Sequence, residues 1–281
     1  MMKLRTCRDI ERQEWTNKRR FALVPLVFIM ALTCIACTAR SPAGSQPADA
    51  GKPKTELLVA AAASLKDSLD VIGEHFEETH KDIDIIFHYG SSGTLQKQIE
   101  QGAPADLFLS AGEKQMEALV GKGLIASHTV LLQNDLVVVV PADADRNMAA
   151  LDELAEDDIG KIAIGQPETV PAGQYAKEAL TALNLWDALQ HKLVFAKDVR
   201  QALTYVESGN VDAGFVYRTD ALVSEKVRIA YQVDSGVHAP IVYPVGIVKE
   251  SAHAEEAALF YHYLQSEEAR AVFKPFGFTI P

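Results

Sequence analysis

Residues 56–88 read ELLVAAAASLKDSLDVIGEHFEETHKDIDIIFH. One apolar run covers 57–61 and another covers 83–88, and both have the length and composition of buried strands. Between them, four apolar residues recur at the spacing of one helix face: Leu65, Leu69, Ile72 and Phe76. The segment therefore predicts a β-α-β unit, the repeating element of α/β folds with parallel strands.

The same alternation continues through the rest of the chain. We predict further strands at 106–109, 136–141, 161–165, 193–195, 211–217, 227–232 and 241–248. We predict further helices at 94–101, 113–120, 173–183 and 199–207, and a helical region across 255–273. This pattern predicts an α/β protein of two lobes of about 100 residues, each a mostly parallel sheet flanked by helices.

The composition is that of a folded protein with an acidic body. The chain has 281 residues, of which 48% are hydrophobic and 23% charged, so disorder of the whole chain is excluded. Residues 1–36 hold seven of the 27 Lys and Arg but only three of the 38 Asp and Glu, which leaves a formal charge of −15 on the remainder. An acidic body without a basic stripe repels a phosphate backbone, so we expect no nucleic-acid partner.

The motifs of enzymes and metal sites are missing from the sequence. All three cysteines lie within the first 37 residues, and the eight histidines show no ligand spacing, so we expect no protein-to-metal ligands. The GSSG at 90–93 does not have the serine spacing of a nucleophile elbow. The GKGLIA at 121–126 follows a predicted helix rather than a strand, which argues against a dinucleotide site. We therefore expect neither enzyme activity nor a cofactor.

The N-terminus has the features of an export signal. Basic residues precede a nearly uninterrupted apolar run over 21–36, which is too short for a comfortable membrane span. The segment Cys34-Ile35-Ala36-Cys37 resembles the lipobox of bacterial prolipoproteins, with Cys34 where that pattern usually has Leu. We predict a lipoprotein signal peptide at 1–36, lipidation at Cys37 and a flexible tether at 37–55, with cleavage near Ala36 or Ala39 by an ordinary signal peptidase as the alternative.

Small neutral residues follow the predicted strands at the points where helices begin. Ser64 and Ser91 follow the first two strands, while Ala172 and Val199 open helices in the second unit and can contribute only backbone N–H groups. Each alone is typical of helix capping or packing, and Ser64 with Asp67 matches a capping box. Two helix N-termini at neighbouring strand ends nevertheless favour an anion pocket.

Several separate motifs, in order, resemble the periplasmic molybdate-binding proteins of ABC transporters. The resemblance covers about residues 56–281 and rests on AAASL at 61–65, SSGTL at 91–95, QIEQGAPADLFLSA at 98–111, VPAG at 170–173, DVR at 198–200 and GFVY at 214–217. One departure is Gly93, where many members have a third serine.

The resemblance implies a periplasmic-binding-protein fold of type II with the ligand in the cleft between two lobes. Lobe 1 would comprise 56–136 plus 240–281, and lobe 2 would comprise 137–239. The implied oxyanion contacts come from the hydroxyl and N–H groups of two serines, two backbone N–H groups and one phenol: Ser64, Ser91, Ala172, Val199 and Tyr217. Without the resemblance, Tyr217 could point its hydroxyl into the same crevice, but a buried tyrosine with one incidental partner is the commoner case.

The same resemblance implies a function outside the cytoplasmic membrane. An exported, monomeric protein would capture molybdate, and also tungstate, and deliver it to an ABC permease, touching the membrane only through its lipid anchor. Sulfate, thiosulfate or a phosphonate remain as alternative ligands. An effector-sensing domain of a transcription regulator and an exported α/β enzyme remain as alternative classes of protein.

Overall fold

The computed structural model describes residues 54–281. The predicted signal peptide, Cys37 and all but the last two residues of the predicted tether lie outside this range. Among residues 54–281, no helix has both the length and the apolar character needed to cross a membrane.

Ten strands and nine α-helices alternate along the part of the chain that is described. The strands are β1 Thr55–Ala62, β2 Ile83–Gly90, β3 Leu107–Leu109, β4 Ile125–Gln133, β5 Leu136–Pro141, β6 Ile162–Gly165, β7 Leu193–Ala196, β8 Ala213–Tyr217, β9 Val227–Gln232 and β10 Val242–Val248. The helices are α1 Lys66–Thr79, α2 Ser92–Glu100, α3 Glu113–Gly121, α4 Pro171–Ala182, α5 Trp186–Leu189, α6 Val199–Glu207, α7 Arg218–Leu222, α8 Ala254–Tyr263 and α9 Glu267–Phe273.

The strands form two five-stranded sheets, and each sheet is the centre of one lobe. The first lobe has the strand order β2-β1-β3-β10-β4, and the second has the order β7-β6-β8-β5-β9. The chain passes from the first sheet to the second between β4 and β5, and it returns between β9 and β10. The prediction of two α/β lobes is confirmed.

Both sheets are mixed, where the sequence predicted mostly parallel ones. In the first sheet β1 pairs in parallel with β2 and β3, while β10 pairs antiparallel with β3 and β4. The second sheet repeats this arrangement, because β6 pairs in parallel with β7 and β8, and β5 pairs antiparallel with β8 and β9. The antiparallel pairings involve the strands that flank the two crossings. Their direction follows from the way the chain leaves one lobe and enters the other.

The first β-α-β unit has the predicted core. All four apolar residues on the predicted face of the first helix are fully buried: Leu65, Leu69, Ile72 and Phe76. Burial of a side chain of this size contributes about 1.5–3 kcal/mol relative to exposure. This packing fixes α1 against the sheet, and it thereby fixes the position of the turn that joins β1 to α1.

Two elements differ from the sequence-based expectation. The strand β4 was not predicted, because most of its first six side chains are exposed and its sequence IASHTVLLQ lacks a buried run until its end. The predicted helical region 255–273 divides into α8 and α9, because Ser266 begins a new helix by accepting a hydrogen bond from the amide of Ala269 at 3.2 Å.

Candidate functional site

The carboxyl ends of the parallel strands bring the candidate residues together. Ala62 of β1 pairs with Gly90 of β2, so the segments that follow these two strands lie side by side. In the second lobe, Gly165 of β6 pairs with Ala196 of β7 in the same way. Each lobe therefore presents two neighbouring strand-to-helix turns.

The four turns line one cavity between the lobes, with an empty volume of about 200 Å³ including its opening. All five residues predicted as ligand contacts line it. The complete lining is Ala62, Ala63, Ser64, Gly90, Ser91, Ser92 and Ala111 from the first lobe, and Val170, Pro171, Ala172, Val199 and Tyr217 from the second. No lining residue carries a charged side chain. The cavity therefore offers hydroxyl groups, amides and apolar surface to a ligand.

Ser64 does not cap a helix. It lies within a short 3-10 turn, Ala63–Leu65, and the residue that precedes α1 is Leu65, which makes no side-chain cap. The Ser64 hydroxyl instead lies 3.0 Å from the hydroxyl of Tyr243, and both residues are buried. The capping-box interpretation was wrong, because the 3-10 turn delays the start of the helix and turns the Ser64 side chain towards β10.

Ser91 is the N-cap residue of α2. Its hydroxyl oxygen accepts a hydrogen bond from the Thr94 amide at 3.4 Å, and it lies 2.8 Å from the Thr94 hydroxyl oxygen. The side chain is 6% exposed. The first amides of an α-helix lack intrahelical acceptors and carry a partial positive charge, so the end of α2 that faces the cavity favours a negative group.

Ala172 and Val199 lie in the first turns of α4 and α6. Val170 precedes α4 and Pro171 opens it, which places Ala172 at the second helical position. Asp198 caps α6 by accepting the Gln201 amide at 2.8 Å, which places Val199 at the first helical position. At both positions the amide has no partner within its own helix.

The first turn of α4 is packed tightly against the end of β6. A Cβ atom added to Gly173 would lie 1.9 Å from the main-chain oxygen of Gly165. Only glycine fits this position, which is why the motif at 170–173 ends in glycine.

Tyr217 ends β8 and is 1% exposed. Its hydroxyl donates a hydrogen bond to the main-chain oxygen of Ala111, which belongs to the first lobe, at 3.2 Å. Burial, the largest cause, raises the pKa of Tyr217 well above its ordinary value. The phenol therefore stays protonated and is available as a donor rather than as a negative charge.

Two buried polar residues next to the cavity were missed by sequence reasoning. The Asn134 side-chain amide donates to the Tyr243 hydroxyl at 3.1 Å and to the Thr219 hydroxyl at 2.9 Å. Tyr243 in turn contacts Ser64, so a chain of hydrogen bonds runs from the cavity to the crossing between β4 and β5. No local motif indicates these residues, because they are brought together only by the sheet topology.

Ser92 is a third residue that sequence reasoning did not single out as a contact. It is fully buried and lines the cavity, and its hydroxyl oxygen accepts the Ala111 amide at 2.9 Å. This bond holds the turn after β3 against the first turn of α2, so Ser92 shapes the cavity wall.

A charged cluster lies beside the cavity and joins the two lobes. Arg200 of α6 forms a salt bridge with Asp67 of α1, and its Nε atom lies 2.7 Å from an oxygen of Asp220 in α7. Asp220 is fully buried, and burial raises its pKa to about 6 although the attraction of Arg200 acts in the opposite direction. The cluster pairs one guanidinium with two carboxylates, and none of the three residues lines the cavity.

The cavity can hold a small anion by neutral dipoles. Hydroxyl groups and helix-terminal amides act at hydrogen-bond distance, whereas the negative charge of the whole protein is screened over roughly 8 Å at physiological salt. Among residues 54–281, no group of three or more His, Cys, Asp or Glu side chains is arranged to hold a metal ion directly.

Known proteins resemble this chain over most of its length. Residues 57–279 match the family model described as bacterial extracellular solute-binding protein. A Bacillus subtilis protein named as an ABC transporter substrate-binding lipoprotein, YvgL, is 51% identical over 255 residues, which are 90% of this chain and 97% of that protein. The molybdate-binding protein ModA of Haemophilus influenzae is 41% identical over 229 residues, which are 80% and 90% of the two chains.

A solved structure agrees with these sequence matches. The periplasmic molybdate-binding protein of Azotobacter vinelandii superposes with a TM-score of 0.73 at 28% identity, over 80% of this chain and 99% of that one. The similarity therefore extends from sequence to the arrangement of both lobes.

Proposed function

The chain belongs to the family of bacterial extracellular solute-binding proteins, and from this membership we propose that it captures molybdate, and also tungstate, for an ABC permease. The family consists of proteins that bind solutes for transport and not of enzymes. The proposed ligand is a substrate to be delivered rather than a cofactor. Relatives named as molybdate-binding proteins support this choice of oxyanion.

The observation that carries the proposal is the neutral lining of the cavity between the lobes. We propose that the oxyanion accepts hydrogen bonds from the hydroxyl groups of Ser64, Ser91 and Tyr217 and from backbone amides, including those of Ala172 and Val199. All five residues line one cavity without a charged side chain. We also propose that the lobes, 56–136 plus 240–281 and 137–239, close around the ligand as units.

A lining of neutral donors supports selection of a fully deprotonated tetrahedral anion. Monoprotonated phosphate carries a hydrogen that needs an acceptor, and the backbone N–H groups in the lining supply none. Sulfate has shorter bonds than molybdate, so it would reach fewer donors from the two lobes at once. Tungstate matches molybdate in size and charge, so we expect little discrimination between these two.

Export to the outer side of the cytoplasmic membrane follows from the extracellular family. We propose in addition that the chain is a monomer anchored by a lipid at Cys37. The lipobox-like segment at 34–37 supports the anchor, as does the lipoprotein name of the Bacillus subtilis relative. Incorporation of a labelled fatty acid into the wild type but not into Cys37→Ala is the expected result, and equal labelling of both would contradict it.

The ligand is tested by isothermal titration calorimetry of molybdate, tungstate, sulfate and phosphate against the full chain. We expect Kd values below about 1 μM for molybdate and tungstate, which corresponds to more than about 8 kcal/mol of binding free energy. Sulfate and phosphate are expected to bind far more weakly. Equal affinity for sulfate and molybdate would contradict the assignment.

A further inference from the structure

A backbone hydrogen bond joins the two lobes beside the cavity. The amide of Gly93, at the second position of α2, donates to the main-chain oxygen of Thr169 at 2.9 Å. Gly93 follows the cavity residues Ser91 and Ser92, and Thr169 immediately precedes the cavity residue Val170. The bond therefore links the ligand-facing turn of one lobe directly to that of the other.

Thr169 is held in place by hydrogen bonds within the second lobe. The amides of Thr169 and Val170 both donate to the main-chain oxygen of Gln166, at 3.0 and 2.8 Å. The amide of Gln166 donates to the oxygen of Ala196 at the end of β7, at 2.8 Å. The Thr169 oxygen thus belongs to a turn that is hydrogen-bonded to the second sheet. It cannot move away from Gly93 relative to that sheet without breaking these bonds.

Only a glycine permits the observed approach at position 93. A Cβ atom placed there would lie 2.6 Å from the Thr169 oxygen, 2.8 Å from its Cα and 3.0 Å from its carbonyl carbon. All three atoms are backbone atoms, so no side-chain rotation relieves the overlap. Within the first lobe an alanine at this helical position meets no comparable obstacle, and alanine favours a helix over glycine.

We propose that Gly93 sets how closely the two lobes approach, and that its contact with Thr169 determines how tightly the closed protein holds its ligand. The contact forms only when the lobes are together, so its free energy contributes to the closed state alone. This inference rests on the proposed function only for the choice of oxyanion as a probe.

Two other contacts between the lobes do not set this limit, because each is made by a side chain. The Tyr217 hydroxyl bonds to Ala111, and Arg200 bonds to Asp67. A phenol or a guanidinium tolerates small displacements by rotating, whereas two backbone segments in direct contact do not. The distance between the lobes is therefore decided at Gly93 and Thr169.

The test compares Gly93→Ala with the wild type in the full chain. We expect the variant to bind molybdate roughly three- to tenfold more weakly, the effect of losing one hydrogen bond from the closed state. Its melting temperature without ligand is expected to be equal or higher, which separates the effect from misfolding. Gly121→Ala is the matched control, because Gly121 ends α3 in open space and an added Cβ meets nothing within 4 Å.

Hydrogen exchange followed by mass spectrometry supplies a second measurement. In the wild type we expect molybdate to protect the peptide that spans 91–95 and the peptide that spans 166–170, and in Gly93→Ala we expect this protection to fall. Without ligand, the variant is expected to exchange faster than the wild type in both peptides. Unchanged affinity together with unchanged exchange in both conditions overturns the proposal.

Failure of the proposed function can be distinguished from failure of the Gly93 proposal. If the wild type binds no oxyanion, the assignment of the ligand is wrong. The role of Gly93 is then decided by exchange without ligand, where faster exchange in the variant supports it and equal exchange overturns it.

Discussion

The hydroxyl oxygen of Tyr217 lies 3.2 Å from the main-chain oxygen of Ala111, and this hydrogen bond crosses from the second lobe to the first. A phenol has one hydrogen to donate. If Tyr217 donates it to a bound oxyanion, the bond to Ala111 must be released. Under the proposed function, Tyr217 would therefore exchange a contact between the lobes for a contact with the ligand.

Replacing Tyr217 with Phe should weaken molybdate binding by about tenfold or more. A hydrogen bond to a charged group is worth about 1.5–3 kcal/mol, and the ring of phenylalanine preserves the packing. Calorimetry measures the change. Tyr205→Phe is the control, since Tyr205 lies on α6 outside the cavity. Binding of equal affinity by Tyr217→Phe and the wild type would remove this phenol from the site.

The double substitution Ser64→Ala with Ser91→Ala should reduce affinity by several kcal/mol, because each hydroxyl is expected to donate to the anion at about 1.5–3 kcal/mol. The measurement is again calorimetry, with melting temperatures to verify folding. Ser68→Ala is the control, since the Ser68 hydroxyl is buried in α1 but bonds to the Leu65 oxygen. Unchanged affinity would place the ligand elsewhere.

Tyr243 should act on the ligand through Ser64. The Tyr243 hydroxyl accepts from Asn134, so its own hydrogen is available to the Ser64 oxygen, which leaves the Ser64 hydrogen free for an anion. Tyr243→Phe is expected to weaken binding by less than Ser64→Ala, and the two substitutions together should cost less than the sum of their separate effects. A double-mutant cycle in calorimetry measures this coupling, and strict additivity would contradict it.

The sequence predicted the convergence of the candidate residues better than it predicted their individual hydrogen bonds. Ser64 to Ser91 and Ala172 to Val199 are both separated by 27 residues, and in each lobe this spacing spans one β-α-β unit from one strand end to the next. Such units place strand ends side by side, so the convergence was accessible from local pattern. The identity of the proposed ligand could not be predicted from local pattern, because it depended on resemblance to a known family.

The parts that could not be predicted depend on contacts between distant segments. Asn134 and Tyr243 are 109 residues apart, and they meet only because the chain crosses twice between the sheets. The Ser-x-x-Asp pattern at 64–67 was misread for the same reason, since Ser64 bonds to Tyr243 and Asp67 pairs with Arg200. Helices and strands could be predicted from local sequence pattern, whereas the partners of buried polar groups depend on tertiary packing.

Asp220 should make stability depend on pH in a direction opposite to that of most aspartates. Its pKa is raised to about 6 by burial, from an ordinary value near 4. Between about pH 4 and 6 the folded protein therefore binds more protons at this residue than the unfolded chain does. The contribution of Asp220 to stability is largest below about pH 4, and it is lost as the pH rises to about 6.

Urea unfolding of the wild type and Asp220→Asn between pH 4 and 7.5 isolates this contribution. The free energy of unfolding of the wild type minus that of the variant should fall by on the order of 2–3 kcal/mol as the pH rises, because each pKa unit is worth about 1.4 kcal/mol. Asp145→Asn, at an exposed position, controls for removal of a charge. A difference that stays constant or grows with pH would show that the pairing with Arg200, rather than burial, dominates at Asp220.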